Sequence, residues 1–85
     1  MTTGEKIRYF RTSHELTQEQ LASQSGLSIS ALQKYESDER KPKPEQLLKI
    51  SDALGISINI FMDFDIRTVS DLVSLLFRME DQSSL

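Results

Sequence analysis

Apolar residues in this chain recur at steps of three and four, broken by short polar turns, and that period predicts helices. Ile7 and Phe10 share a face three residues apart, behind Thr2-Thr3-Gly4-Glu5. That tetrad reads as a capping box with Thr2 as N-cap and Glu5 at N3. The first helix is expected to end near Ser13 or His14. A second box, Thr17-Gln18-Glu19-Gln20, precedes Leu21, Ala22 and Ser25, a short inward face. Gly26 then stands where a helix ends on a residue of positive φ. Ser28 caps a third helix in which Leu32, Tyr35 and Glu36 share one face by i, i+3, i+4 spacing. Ile29, Ser30 and Gln33 share the opposite face, with Lys34 beside Ser30. A polar link over 37–43 leads to Pro44, suited to a first helical position. The fourth helix carries Leu47, Leu48, Ile50 and Leu54 and stops at Gly55. Ser57 caps a short fifth helix holding Ile60 and Phe61. Over residues 68–80, Val69, Leu72, Val73, Leu76 and Phe77 form an amphipathic stripe. No strand alternation and no Asn-Gly or Asp-Gly hairpin competes with these signals. The expected fold class is all-α: five short helices in a compact bundle, with a C-terminal sixth.

Composition narrows the function. With 38% hydrophobic and 27% charged residues in 85, the chain suits one small globular domain. No run approaches the roughly 20 apolar residues of a membrane span. The N-terminus lacks the apolar core of a secretion signal, so the expected compartment is the cytoplasm, with no membrane partner. There is no cysteine and only one histidine, His14. Thiolate and multi-histidine metal sites are therefore excluded, and no metal or cofactor is expected. Serines are plentiful, but no general base is spaced to activate one, so the chain does not read as an enzyme.

The net charge of −3 argues against a nucleic-acid partner until its distribution is considered. Residues 1–43 hold seven basic groups against six acidic ones, while residues 44–85 hold three against seven. The N-terminal half is thus able to present a nucleic-acid face. Two short helices joined by a tight glycine turn describe a helix-turn-helix. Ala22 lets the second and third helices approach, Gly26 reverses the chain, and Leu27, Leu32 and Tyr35 close the corner. The outer face of the third helix is then Ser28, Ile29, Ser30, Gln33 and Lys34. An exposed isoleucine there wants a partner, and in a DNA major groove a thymine methyl would serve.

The run LTQEQLASQSGLSISALQKYESDERKP resembles the helix-turn-helix of phage repressor and Cro-type (Xre family) DNA-binding domains. The resemblance covers residue 5 to about 63. It rests on Leu16-Thr17-Gln18, Leu21-Ala22, Gly26, Ser28, Ser30, Leu32, Tyr35-Glu36, Arg40, Pro42 and Leu54-Gly55 at fixed spacing. It implies a five-helix repressor-like bundle over 1–63, while residues 64–85, an amphipathic helix for dimerisation or linkage and a frayed tail, lie outside it. It also implies a sequence-specific, double-stranded DNA-binding transcription regulator: a repressor acting as a homodimer on a palindromic operator. Carried over by position, Ile29, Ser30, Gln33 and Lys34 would face bases. Gln18, Ser28, Arg40, Lys41 and Lys43 would meet phosphates. Arg11 and Glu36 would form an internal ion pair between the first and third helices.

The chain departs from the family pattern at Ser37-Asp38, where glycine or Asn-Gly often ends the third helix. Asp38 and Glu39 put negative charge near the expected phosphate path. Together with the net charge and the apolar stripe, they support a rival reading: a helix-turn-helix-derived protein-interaction module, antagonist or antitoxin-like, without strong DNA binding. The stripe Val69, Leu72, Val73, Leu76, Phe77 has three readings. It is a helix packed on its own bundle, a dimer seam, or a linker into a further domain.

Overall fold

The computed structural model describes residues 1–62, and the expected sixth helix with its stripe lies outside them. Among the described residues there are four α-helices and no strand: α1 (Thr3–Ser13), α2 (Gln18–Ser25), α3 (Ile29–Glu36) and α4 (Pro44–Leu54). A single 3-10 helix, Ile58–Phe61, follows where a fifth helix was expected. Four residues close just over one turn of a 3-10 helix, and so short a piece commonly takes that tighter form.

The helix starts follow from local chemistry. The hydroxyl oxygens of Thr2, Thr17 and Ser28 accept from the backbone N–H of Glu5, Gln20 and Ala31 at 3.0–3.1 Å. At α2 the box is reciprocal, because the Thr17 N–H donates to the Gln20 side chain at 2.8 Å. Pro44 opens α4 with no side-chain cap, its missing N–H being one that a helix start leaves unpaired in any case.

The helix ends share one device. Each of the four α-helices is followed by a residue of positive φ: Glu15 (56°), Gly26 (71°), Asp38 (62°) and Gly55 (67°). At three of them the two carbonyl bonds of a Schellman turn are present. Leu16, Leu27 and Ile56 donate to the carbonyls of Arg11, Ala22 and Ser51, while Glu15, Gly26 and Gly55 donate to those of Thr12, Ser23 and Asp52. The apolar residues Leu16, Leu27 and Ile56, each just past the turn, then pack partly buried against the core. Gly26 needs its freedom most, because it sets the α2–α3 reversal.

The core is Ile7, Leu21, Ala22, Leu32, Tyr35, Leu47, Ile50, Leu54 and Phe61. α1 packs on α3, α2 packs on both α3 and α4, and the 3-10 helix closes against α4. Ser25 and Ser51 are buried too, with hydroxyls donating to the carbonyls of Leu21 and Leu48. Leu48 itself is 49% exposed. The inward face of α4 is Leu47, Ile50, Ser51 and Leu54, the i, i+3, i+4, i+7 set, and Leu48 falls one step off it.

Gly4 marks the closest approach of α1 to α3. A Cβ placed there would lie 2.4 Å from the Tyr35 carbonyl oxygen and 2.6 Å from that of Glu36. Gly4→Ala is therefore expected to destabilise the domain by about 1–3 kcal/mol despite alanine's better helix propensity. Circular dichroism melting of the two proteins checks this, and an unchanged or higher Tm would show that the contact is slack.

Candidate nucleic-acid interface

The third helix has two unlike faces. Leu32, Tyr35 and Glu36 are buried, whereas Ser28, Ile29, Ser30 and Gln33 are exposed and Lys34 is half-buried. Ile29 keeps 41% of its surface in solvent at the N-terminal turn of α3. Leaving a β-branched apolar side chain there gains the fold nothing, which makes it notable beside three polar neighbours. The oxygen of Ser28 is committed to capping, but its hydroxyl proton is not used by that bond.

Behind this face lies a buried polar network. Arg11 donates through Nε to Glu36 Oε2 at 2.8 Å and through Nη2 to Glu36 Oε1 at 3.0 Å. Its Nη1 donates to the Leu16 carbonyl at 2.8 Å. The side chains are only 12% and 4% exposed. The fork-to-fork geometry fixes direction as well as distance. Gln18 joins from the first turn of α2, its Nε2 donating to Glu36 Oε1 at 3.3 Å. The half-buried Gln18 is thus registered against α3 through the same carboxylate that holds Arg11. One carboxylate ties three helices together.

The loop after α3 gathers the basic residues. Arg40 N–H returns to the Lys34 carbonyl at 3.2 Å. Pro42 is buried, while Arg40, Lys41 and Lys43 are exposed. These three, with Tyr35 and Gln46, line a shallow cavity of about 390 Å³. The residues assigned to phosphate contact therefore fall in two places: Gln18 and Ser28 at the starts of α2 and α3, and Arg40, Lys41 and Lys43 around the cavity. The starts of helices favour anions through unpaired N–H groups and the macrodipole.

Asp38 is placed differently from the bare charge read in the sequence. Its Oδ1 accepts from the Gly4 N–H at 3.0 Å and its Oδ2 from the Thr2 hydroxyl at 2.6 Å. The carboxylate is directed at the start of α1. Only Glu39 of the acidic pair carries no such tie among the bonds described. Aspartate tolerates the left-handed backbone found here better than most residues, but nothing in the local sequence marks a partner 34 residues away. His14, exposed at the end of α1, donates from Nδ1 to the Phe10 carbonyl at 2.7 Å.

Among the described residues, no group of His, Asp and Glu side chains is arranged to hold a metal ion. No helix among them is long and apolar enough to cross a membrane.

The Helix-turn-helix family matches residues 7–61. The cryptic phage CTXphi transcriptional repressor RstR of Vibrio cholerae is 42% identical over 59 residues, covering 69% of this chain and 53% of RstR. The P22 c2 repressor in complex with a synthetic operator superposes with a TM-score of 0.69 at 32% identity, covering 76% of this chain and 98% of that one. The restriction-modification controller protein C.AhdI from Aeromonas hydrophila gives 0.68 at 33% identity, over 71% and 91% of the two chains. The chain spans about half or less of the length of the curated relatives it matches.

Proposed function

This chain belongs to the Helix-turn-helix family, and from that premise we propose that it is a sequence-specific double-stranded DNA-binding transcription regulator, a repressor acting as a homodimer. The observation that carries the reading is the outer face of α3. Ile29, Ser30 and Gln33 stand exposed on a helix whose inner face is buried and whose Glu36 is clamped by Arg11 and Gln18. A rigid helix with a small, mixed polar and apolar ridge suits the major groove, where hydrogen bonds and methyl contacts read bases. Relatives named as repressors, and a neighbour solved with its operator, support the same partner.

In this mechanism the N-terminal half of α3 enters the major groove. Ile29 packs on a thymine methyl, and Ser30, Gln33 and Lys34 address base edges. Gln18, Ser28, Arg40, Lys41 and Lys43 hold phosphates, which set register without specifying sequence. The stripe Val69, Leu72, Val73, Leu76 and Phe77 is assigned to the seam between two copies. A two-fold pair then reads a palindromic operator with half-sites about 34 Å apart, one helical turn. Repression follows from occupying a site that polymerase needs. The rival protein-interaction reading loses one support, since the Asp38 charge is engaged by α1.

The test is fluorescence anisotropy against a randomised duplex pool at two salt concentrations, with sequencing of the bound fraction. Enrichment of a palindromic motif is the expected result; no binding at low salt would overturn the reading. Against the enriched site, Gln33→Ala and Lys34→Ala are expected to cost about 1–3 kcal/mol per base contact and to relax preference locally. Lys41→Ala should instead weaken all sequences alike and lower the salt slope by about 0.9. Equal losses on every sequence for the first two would remove them from base reading.

A further inference from the structure

We propose that Asp38 is a positioning residue for the phosphate-binding loop: its carboxylate clasps the start of α1 and so holds Arg40 and Lys41 where they meet DNA. The inference rests on the DNA-binding reading and adds to it a residue that touches no nucleic acid.

Four observations converge on Asp38. Its backbone sits at φ 62°, where a side chain other than glycine is strained, aspartate less than most. The clasp offsets that strain, because both carboxylate oxygens accept hydrogen bonds from the first turn of α1, from the Gly4 N–H and the Thr2 hydroxyl. Bonds to an ionised acceptor are shorter and stronger than neutral ones, and the 2.6 Å contact to Thr2 is of that kind. Gly4, with no side chain, lets the backbone of Tyr35 and Glu36 come close enough for the clasp to form. Finally, the loop turns at Asp38. Two residues on, Arg40 N–H bonds back to the Lys34 carbonyl, and Thr2, Thr3, Asp38, Arg40, Lys41 and Pro42 line one open hollow of about 400 Å³. A loop pinned at Asp38 and packed at Pro42 leaves the intervening cations little freedom. Such pre-organisation lowers the ordering cost at binding.

The clasp also answers why a negative charge is tolerated beside a phosphate-binding loop. The carboxylate faces the partial positive charge of a helix start. Clasp and simple repulsion therefore predict opposite signs on removing it. Asp38→Gly keeps the left-handed turn and deletes the carboxylate. Asp38→Asn deletes the charge but keeps an oxygen able to accept from Gly4. Under the clasp, Asp38→Gly weakens operator binding by about tenfold, the equivalent of about 1.4 kcal/mol. Its salt slope falls by about 0.9 for each phosphate contact released, and Asp38→Asn restores most of both. Under repulsion, both variants bind more tightly than the parent.

The experiment is salt-dependent anisotropy for the full chain and both variants, at a temperature where circular dichroism shows each folded. It is paired with NMR amide exchange and order parameters over residues 39–43 without DNA. Faster exchange and lower order at Arg40 and Lys41 in Asp38→Gly, with recovery in Asp38→Asn, is the expected result. Unchanged loop order, an unchanged salt slope, or tighter binding by Asp38→Gly would each overturn the proposal. If the parent chain binds no DNA, the regulator reading fails, and the NMR arm alone still decides whether Asp38 orders the loop.

Discussion

Arg11→Ala is expected to destabilise the domain by about 3–5 kcal/mol, the usual range when one member of a buried ion pair is removed. The pair itself need not add that much stability over an apolar pair of the same size. The loss comes from what remains. Glu36, 4% exposed, would keep one 3.3 Å bond from Gln18 in place of three donors. A nearly buried carboxylate with one weak partner bears most of its desolvation penalty. The Leu16 carbonyl would lose its guanidinium donor as well. Domains of this length have about 5–15 kcal/mol to lose, so the variant should be largely unfolded well below the parent's melting temperature. Urea denaturation followed by far-UV circular dichroism measures it. A change under 1 kcal/mol would show that water enters the site and solvates Glu36. Replacing both partners, as in Arg11→Met with Glu36→Leu, should recover much of the stability, because it is the unpaired charge that destabilises. The double variant separates stability from function: with α2 no longer tied to α3 through Glu36 and Gln18, its DNA binding should remain weaker than the parent's even where it is fully folded.

Leu32→Ala is expected to destabilise by about 2–5 kcal/mol, from lost transfer energy plus the cavity left behind. Leu32 has no exposed surface and anchors the buried side of α3, with Ser30 on the far side of the helix. Packing on one side thus sets the attitude of the ridge on the other. At about 4–8 °C per kcal/mol for a domain this small, the Tm should fall by about 8 °C or more. Leu48→Ala is the matched control. It removes the same atoms from a helix of the same bundle, but from a side chain 49% exposed, and should stay within about 0.5 kcal/mol. Equal melting of the two leucine variants would mean that burial had been misassigned between them.

The contrast between these leucines bears on what could be read from the chain alone. Helix starts were legible because Thr2, Thr17 and Ser28 cap groups three residues away, an interaction contained in the local sequence. Gly26 and Gly55 were legible as stops for the same reason. Glu15 and Asp38 make left-handed stops without glycine, and there the propensity signal is weak: only the backbone shows that all four helices are followed by a residue of positive φ. The inner and outer faces of α2 and α3 follow from a 3.6-residue period and match the burial of Leu21, Ala22, Ser25, Leu32 and Tyr35. Leu48 belongs to no inward set on that period, and Ser51, a polar residue that apolar spacing does not mark, takes the inward place. The fifth element is a 3-10 turn, since a four-residue segment is not bound to the α-helical hydrogen-bond pattern.

Local sequence was enough to set the four α-helices, the caps at Thr2, Thr17 and Ser28, the turn between α2 and α3 and the exposed residues of α3, because each depends on contacts within about one helical turn. The partners of the carboxylates came from the packing of one helix on another. Glu36 gathers Arg11 from 25 residues away and Gln18 from 18, and Asp38 reaches Thr2 and Gly4 across 36 and 34. Such pairings depend on how α1 is laid across α3, an approach that Gly4 permits by having no side chain. Periodicity fixes which way a side chain points on its own helix; it carries no information about which distant group will be waiting there.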